Sequence, residues 1–246
     1  MKTAITSGGA GDILFSIPVM KALGVDTLLI KESFYPPGFG SLYSSMKDLM
    51  QLQGFKVLPT KDEGFGFDRF EAGVKYDINM DAWRSCRMRG QWHIMQSMLN
   101  HWRVSQLGRP WQRPWLKIDD KPSVHDVLYS LEEYAPSFSL FSLTPRWRES
   151  DCDWRRVMDK HTYGIPVFVG FDEDHADFQR LIGHTIYHYP TPTFLDVVRL
   201  VRDAKDIYCN QGFVLAAAQA LGKNYWCAFK KGKTNCLTRT SNEHYL

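Results

Sequence analysis

Thr3-Ala4-Ile5-Thr6, Ser7-Gly8-Gly9-Ala10-Gly11-Asp12 and the apolar run from Ile13 to Leu23 follow one another at the start of the chain. The first four residues read as a short buried strand. The glycine-rich stretch reads as a tight loop. Leu14, Ile17, Met20 and Leu23 are spaced along one helical face, so Ile13–Leu23 reads as a helix, with Pro18 in its early turns. Thr27–Lys31 is a second strand. Strand, glycine loop, helix and strand in this order open a parallel α/β sheet.

The alternation continues. A helix is expected over Leu42–Gln53, strands over Lys56–Leu58 and Tyr76–Met80, and a helix over Gln91–Leu107 carrying Ile94, Met95, Met98, Leu99 and Trp102. Residues 108–123 contain Pro110, Pro114 and Pro122 and read as an irregular linker. A second series follows. Strands are expected over Leu140–Thr144, Pro166–Gly170, Thr185–Tyr189, Asp206–Cys209 and Tyr225–Phe229. Helices fall over Trp154–His161, 173–182, Phe194–Ala204 and Gln211–Leu221, the last closed by Gly222, a good C-cap. The last dozen residues read as polar and peripheral. The expected architecture is two Rossmann-like domains, 1–122 and 123–246, with parallel sheets facing a cleft.

Composition narrows the function. The 246 residues are 44% hydrophobic and 23% charged, ordinary for a globular protein. A net charge of +3 is too small to mark a nucleic-acid binder. Aromatics reach 14%, a surplus that belongs in cores, interfaces or ligand clefts. The cysteines Cys86, Cys152, Cys209, Cys227 and Cys236 are odd in number and form no C-x-x-C pair. They read as reduced thiols of a cytoplasmic protein, with no disulfide framework and no zinc site. No apolar run approaches the ~20 residues that cross a bilayer, and the glycine loop interrupts any leader-like start.

The glycine loop lets the backbone turn sharply and brings an anion close to the helix N-terminus. It is not a nucleotide P-loop, because no Gly-Lys-Ser/Thr follows. Gly9 and Gly11 form part of a dinucleotide fingerprint, and Glu32 ends the second strand where a ribose-binding acid would lie. Leu14 replaces the third glycine. A nicotinamide-dependent oxidoreductase therefore stands as an alternative. Asp12 has two readings: it caps the helix N-terminus, or it accepts a proton from a substrate hydroxyl.

Residues 8–23, Gly-Gly-Ala-Gly-Asp-Ile-Leu-Phe-Ser-Ile-Pro-Val-Met-Lys-Ala-Leu, resemble the opening of the lipopolysaccharide heptosyltransferases, glycosyltransferase family 9. Asp206–Gly222, with Asn210-Gln211-Gly212 at its centre, is similar to that family's donor-binding strand–loop–helix. Ser142-Leu143-Thr144-Pro145-Arg146 is similar to the strand and basic residue that open its donor domain. Asn210-Gln211-Gly212 and Phe213–Ala216 stand where the family carries an acid-containing loop and a histidine.

The resemblance implies a GT-B fold, with the acceptor in the first domain and a nucleotide-sugar donor in the second. It implies that Asp12 is the general base, that Arg146 steadies the donor diphosphate, and that Asn210, Gln211 and Gly212 surround it. The nucleotide-sugar is a co-substrate, and the scheme needs no cofactor or metal.

Gly9, Gly11, Trp83, Arg84 and Arg87 are the candidate acceptor residues. Trp83, Arg84, Arg87, Arg89, Trp92 and His93 crowd one segment, read either as a basic face over core tryptophans or as a site for a phosphorylated glycan, a lipid-linked sugar or modified nucleic acid. A non-enzymatic GT-B fold binding nucleic acid or protein through this segment is the third reading. Asp172, Glu173, Asp174 and His175 read as a charged helix start or a ribose contact. His184 and His188 lack a metal-ligand spacing.

Overall fold

A computed structural model describes residues 1–6, 9–32, 40–61, 73–85, 93–123, 137–144, 152–161, 164–229, 236, 238 and 240–246. The strands are β1 (Thr3–Thr6), β2 (Thr27–Lys31), β3 (Lys56–Thr60), β4 (Ile78–Asn79), β5 (Phe138–Ser142), β6 (Ile165–Phe168), β7 (Tyr187–His188), β8 (Asp206–Asn210), β9 (Tyr225–Ala228) and β10 (Glu243–Tyr245). The described helices are α1 (Ala10–Ala22), α2 (Leu42–Leu52), α3 (Ile94–His101), α4 (Trp154–His161), α5 (Asp172–Ile182), α6 (Phe194–Asp203) and α7 (Phe213–Leu221), with short 3-10 turns at Ala82–Ser85, Ser105–Leu107 and Pro110–Gln112.

Among the described residues two sheets form, in the orders β3-β2-β1-β4 and β10-β9-β8-β5-β6-β7. Every paired strand is parallel. Parallel sheets are covered on both faces, and the second sheet shows why these residues suit it. Phe138, Leu140, Val167, Ile207, Cys209, Tyr225 and Cys227 point into one core, while Phe141, Phe168, Tyr208 and Ala228 point into the other. Both sets are apolar, so the strands read as continuous hydrophobic runs with a period of two hidden inside. The second core is aromatic: Phe141 stacks on Tyr208 at 4.9 Å, and Phe168 on Phe178 at 5.2 Å.

The first core is continuous across both halves. Helices α1 and α2 pack against α7 and α6 respectively. Residues 115–123 are bound to this seam. The Trp115 and Leu116 amides both donate to the Ala220 carbonyl, at 2.9 and 3.1 Å, which satisfies an orphan acceptor near the end of α7. Gln53 exchanges two bonds with the Lys117 backbone, at 2.8 and 2.9 Å. Arg199 on α6 holds Asp119 through a two-pronged contact, and Asp203 accepts from the Ser123 amide and hydroxyl. The expected irregular linker is thus a strap tied to α2, α6 and α7.

Most bounds shift by a residue or two, and three elements differ further from the sequence reading. Helix α1 begins at Ala10 rather than Ile13, which moves Pro18 into its interior. The helix expected over Gln91–Leu107 is α over Ile94–His101 only, followed by a 3-10 turn. The polar tail supplies β10, a sixth strand paired along β9 in the register Glu243 to Tyr225. Its alternation is too short to show in a pattern, and its partner comes from a different part of the chain. Gly222 closes α7 at φ +68°, as expected of a C-cap glycine.

Candidate functional site

Parallel strands deliver their following loops to one edge of the sheet. β1 leads into the N-terminus of α1 and β8 into that of α7. These two helix starts touch. A Cβ placed on Gly11 would lie 3.6 Å from the Ala216 Cβ, 3.7 Å from the Gly212 carbonyl oxygen and 3.8 Å from the Phe213 Cα. Gly9 and Gly212 are the N-cap residues, and neither makes a side-chain cap bond. Two helix N-termini without side-chain caps therefore converge, with amide groups and partial positive charge favourable to an anion.

Asp12 sits in the first turn of α1, three residues past the N-cap, and its amide bonds back to the Gly9 carbonyl at 2.9 Å. Its carboxylate pairs with the guanidinium of Arg84, through Nη2 to Oδ2. The side chains are 23% and 18% exposed, open enough to meet a ligand. Asp12 is thus no N-cap: Gly9 occupies that position. β4 lies beside β1 in the register Ile5 to Asn79, which brings the 3-10 turn bearing Arg84 alongside Asp12. Arg84 also reaches Asp81 through Nε at 3.4 Å, and its guanidinium lies 4.9 Å from the centre of the Trp83 ring. Trp83 is itself 3% exposed and belongs to the core. In this state it supports Arg84 and presents no open face.

Asn210 and Gln211 are buried. Asn210 accepts from the Thr144 amide at 2.9 Å and donates to the Thr144 carbonyl at 2.9 Å, tying the ends of β8 and β5 together. The Thr144 hydroxyl reaches the Gln211 carbonyl at 3.4 Å. Gly212 is tightly set: a Cβ there would stand 3.0 Å from the Thr144 Cγ2. Asn210 thus holds the loop in place, and the first amides of α7 are left without intrahelical partners, as at any helix start.

Cys236 was not marked by the sequence as a site residue. Its thiol is pushed up to about 12, first by burial and then by the nearby Asp12 charge, while the Gln211 side chain acts the other way. It joins the tail to both halves of the site. No motif could reveal this, since the three residues are far apart in sequence.

Arg87, Arg89, Trp92 and Arg146 lie outside the described residues. Glu32 is exposed at the end of β2. His175 and His188 stack on each other at 4.5 Å, and each places Nε2 2.8 Å from a backbone carbonyl, of Ile186 and Gly170 respectively. Asp172 stands 3.4 Å from His188 Nδ1. Among the described residues no group of three or more His, Cys, Asp or Glu is placed to hold a metal ion, and no helix is long and apolar enough to cross a membrane.

No family model and no curated protein matches the sequence. Solved structures do match the fold. A glycosyl transferase family 9 protein from Veillonella parvula DSM 2008 aligns with a TM-score of 0.62 at 12% identity, over 99% of this chain and 84% of that one. The E. coli ADP-heptose lps heptosyltransferase II aligns with a TM-score of 0.61 at 11% identity, over 100% and 90%. The E. coli heptosyltransferase WaaC, solved with ADP-2-deoxy-2-fluoro heptose, aligns with a TM-score of 0.53 at 12% identity, over 100% and 93%. The chain therefore has the expected GT-B-like fold of two parallel-sheet α/β units.

Proposed function

We propose that this protein is a glycosyltransferase that moves a sugar from a nucleotide-sugar to a hydroxyl acceptor. The observation that carries the reading is the contact of Gly11 with Gly212 and Phe213, which puts Asp12 beside the start of α7. A proton acceptor from the first half and an anion-favouring helix end from the second then share one site. The fold is that of structures described as heptosyltransferases, one of them holding ADP and another an ADP-sugar analogue.

In this reading residues 1–122 hold the acceptor and 123–246 the donor. Asp12 takes the proton of the acceptor hydroxyl as its oxygen attacks the anomeric carbon. The bond from that carbon to the diphosphate oxygen breaks, and the electron pair leaves with the diphosphate. Amides at the start of α7, with Arg146, meet the growing negative charge. Fixed donors and a guanidinium meet this charge without a metal. Gly9 and Arg84 border the acceptor side, with Arg87 assigned to it from the sequence alone; the acceptor is a glycan, a lipid-linked sugar or modified nucleic acid. The setting of the reaction is the cytoplasm.

The nicotinamide alternative is less well supported. It needs a third glycine where Leu14 stands, and α7 packs against Gly11 at ordinary contact distance. A melting-temperature panel of UDP-, GDP-, ADP- and CMP-sugars, with NAD alongside, tests the reading, since a tight ligand stabilises by mass action. Stabilisation by one nucleotide-sugar, lost on Arg146→Ala, is expected. Stabilisation by NAD alone would replace it with the oxidoreductase, and no response or turnover with any nucleotide-sugar would favour a binding module.

A further inference from the structure

Asp81 has no part in the reaction sketched above. It follows β4 and is 2% exposed, too deep to meet an acceptor. Burying a carboxylate is costly unless it is paired and hydrogen-bonded. Two of its bonds here reach Arg84, and one closes the turn on Asn79. The Asp81 amide donates to Asn79 Oδ1 at 2.9 Å, and the Arg84 amide donates to the Asp81 carbonyl at 3.0 Å. These bonds close the turn and fix the root of Arg84. Arg84 Nε then donates to Asp81 Oδ1, while the Trp83 ring sets the height of the guanidinium. The remaining end of Arg84 reaches Asp12.

We propose that Asp81 is a positioning residue: it sets Arg84, and Arg84 holds the Asp12 carboxylate in one orientation. This rests on the reading of Asp12 as the base. The physical need is plain. An acid in the first turn of a helix is drawn toward that helix's own free amides. A base collapsed onto them would be turned away from the acceptor, and a displacement of 1 Å can cost about 10²-fold in rate. The Asp81–Arg84 clamp keeps Asp12 off its own helix. A carboxylate held by an arginine that is itself unanchored would swing with it; the buried Asp81 supplies an anchor.

The test needs no substrate. In protein labelled with ¹³C and ¹⁵N, the three-bond couplings to the Asp12 carboxyl carbon report its χ1, with the resonance assigned by its loss in Asp12→Asn. Wild type should show one rotamer. Asp81→Asn and Arg84→Gln should each give averaged couplings, the double variant should go no further, and Arg84→Lys should restore part of the effect. If Asp81→Asn does not fold, Asp81→Glu should likewise displace Asp12. Unchanged couplings in the Asp81 variant, whether or not Arg84→Gln alters them, would overturn the proposal. The base reading has a separate test, the transfer rate of Asp12→Asn, so the two can fail independently.

Discussion

The indole N–H of Trp115 donates to the Leu14 carbonyl at 3.1 Å, and Leu14 is the residue whose carbonyl Pro18 cannot serve. In a regular helix that carbonyl would accept from the amide four residues on, and proline has none. The strap between the halves fills the gap. The backbone amide of the same Trp115 bonds to Ala220 on α7. One residue thus repairs α1 and fastens it to the C-terminal end of α7.

Trp115→Phe should therefore cost about 1–3 kcal/mol, because it leaves a carbonyl inside a helix seam without a donor. Pro18→Ala restores the missing amide and should recover most of that loss in the double variant. Denaturant titration of the four proteins checks this. Equal losses with and without Pro18 would show that Trp115 acts by packing alone.

His93 should make stability depend on pH. It is buried, edge-on to Phe15 and stacked on Trp111 at 5.1 Å, and its Nδ1 accepts from the Met95 amide. Burial pulls it down to about 4, with the Gln219 side chain acting the other way. Its folded value lies below the ordinary 6.5, so the unfolded chain binds the proton more readily. Its contribution is fully present above pH 6.5 and is lost as pH falls toward 4, roughly 3 kcal/mol in all. His93→Asn keeps a cap for α3 and cannot titrate. The pH profile of unfolding should flatten over that window; an unchanged slope would mean another group sets it.

Gly11 separates packing from ligand contact. A methyl group there meets Ala216 at ordinary contact distance, so Gly11→Ala should keep stability or raise it by up to about 1 kcal/mol through helix propensity. Gly11→Leu must push α1 from α7 and should cost about 1–3 kcal/mol. Thermal melts of both variants decide. Large destabilisation by alanine would show that the helices sit closer than described.

Asp12→Asn carries the mechanism. Asn keeps a hydrogen-bonding partner for Arg84 and loses the charge of a largely buried pair, which should cost stability about 1–3 kcal/mol. Nucleotide-sugar binding should barely move. Transfer should fall by roughly 10²–10⁴-fold, the share that general-base catalysis supplies. A rate equal to wild type would remove Asp12 from the chemistry while leaving the fold untouched.

Local pattern was enough for the alternation of strands and helices and the cap at Gly222, but the expected glycine loop gave way to α1 from Ala10 onward. Hydrophobic spacing, turn residues and chain order are local properties, and the sequence carries them openly. The strand–loop–helix at 206–222 was legible for the same reason. Pairings between distant residues were not. The sequence offered Asp12 as a cap or a base, and the start of α1 at Ala10, with Gly9 as its N-cap, removed the first reading; the pairing with Arg84 on the neighbouring β4 turn was not legible at all. Pro18 looked harmless near a helix start until α1 proved to begin at Ala10, where Trp115 had to answer for it. The tail became β10 because β9 had an open edge. Cys236 reached Asp12 and Gln211 because that tail runs back across both halves. Each of these depends on which strands lie side by side, and strand order comes from burying both sheets around one continuous core, which no local window of sequence contains.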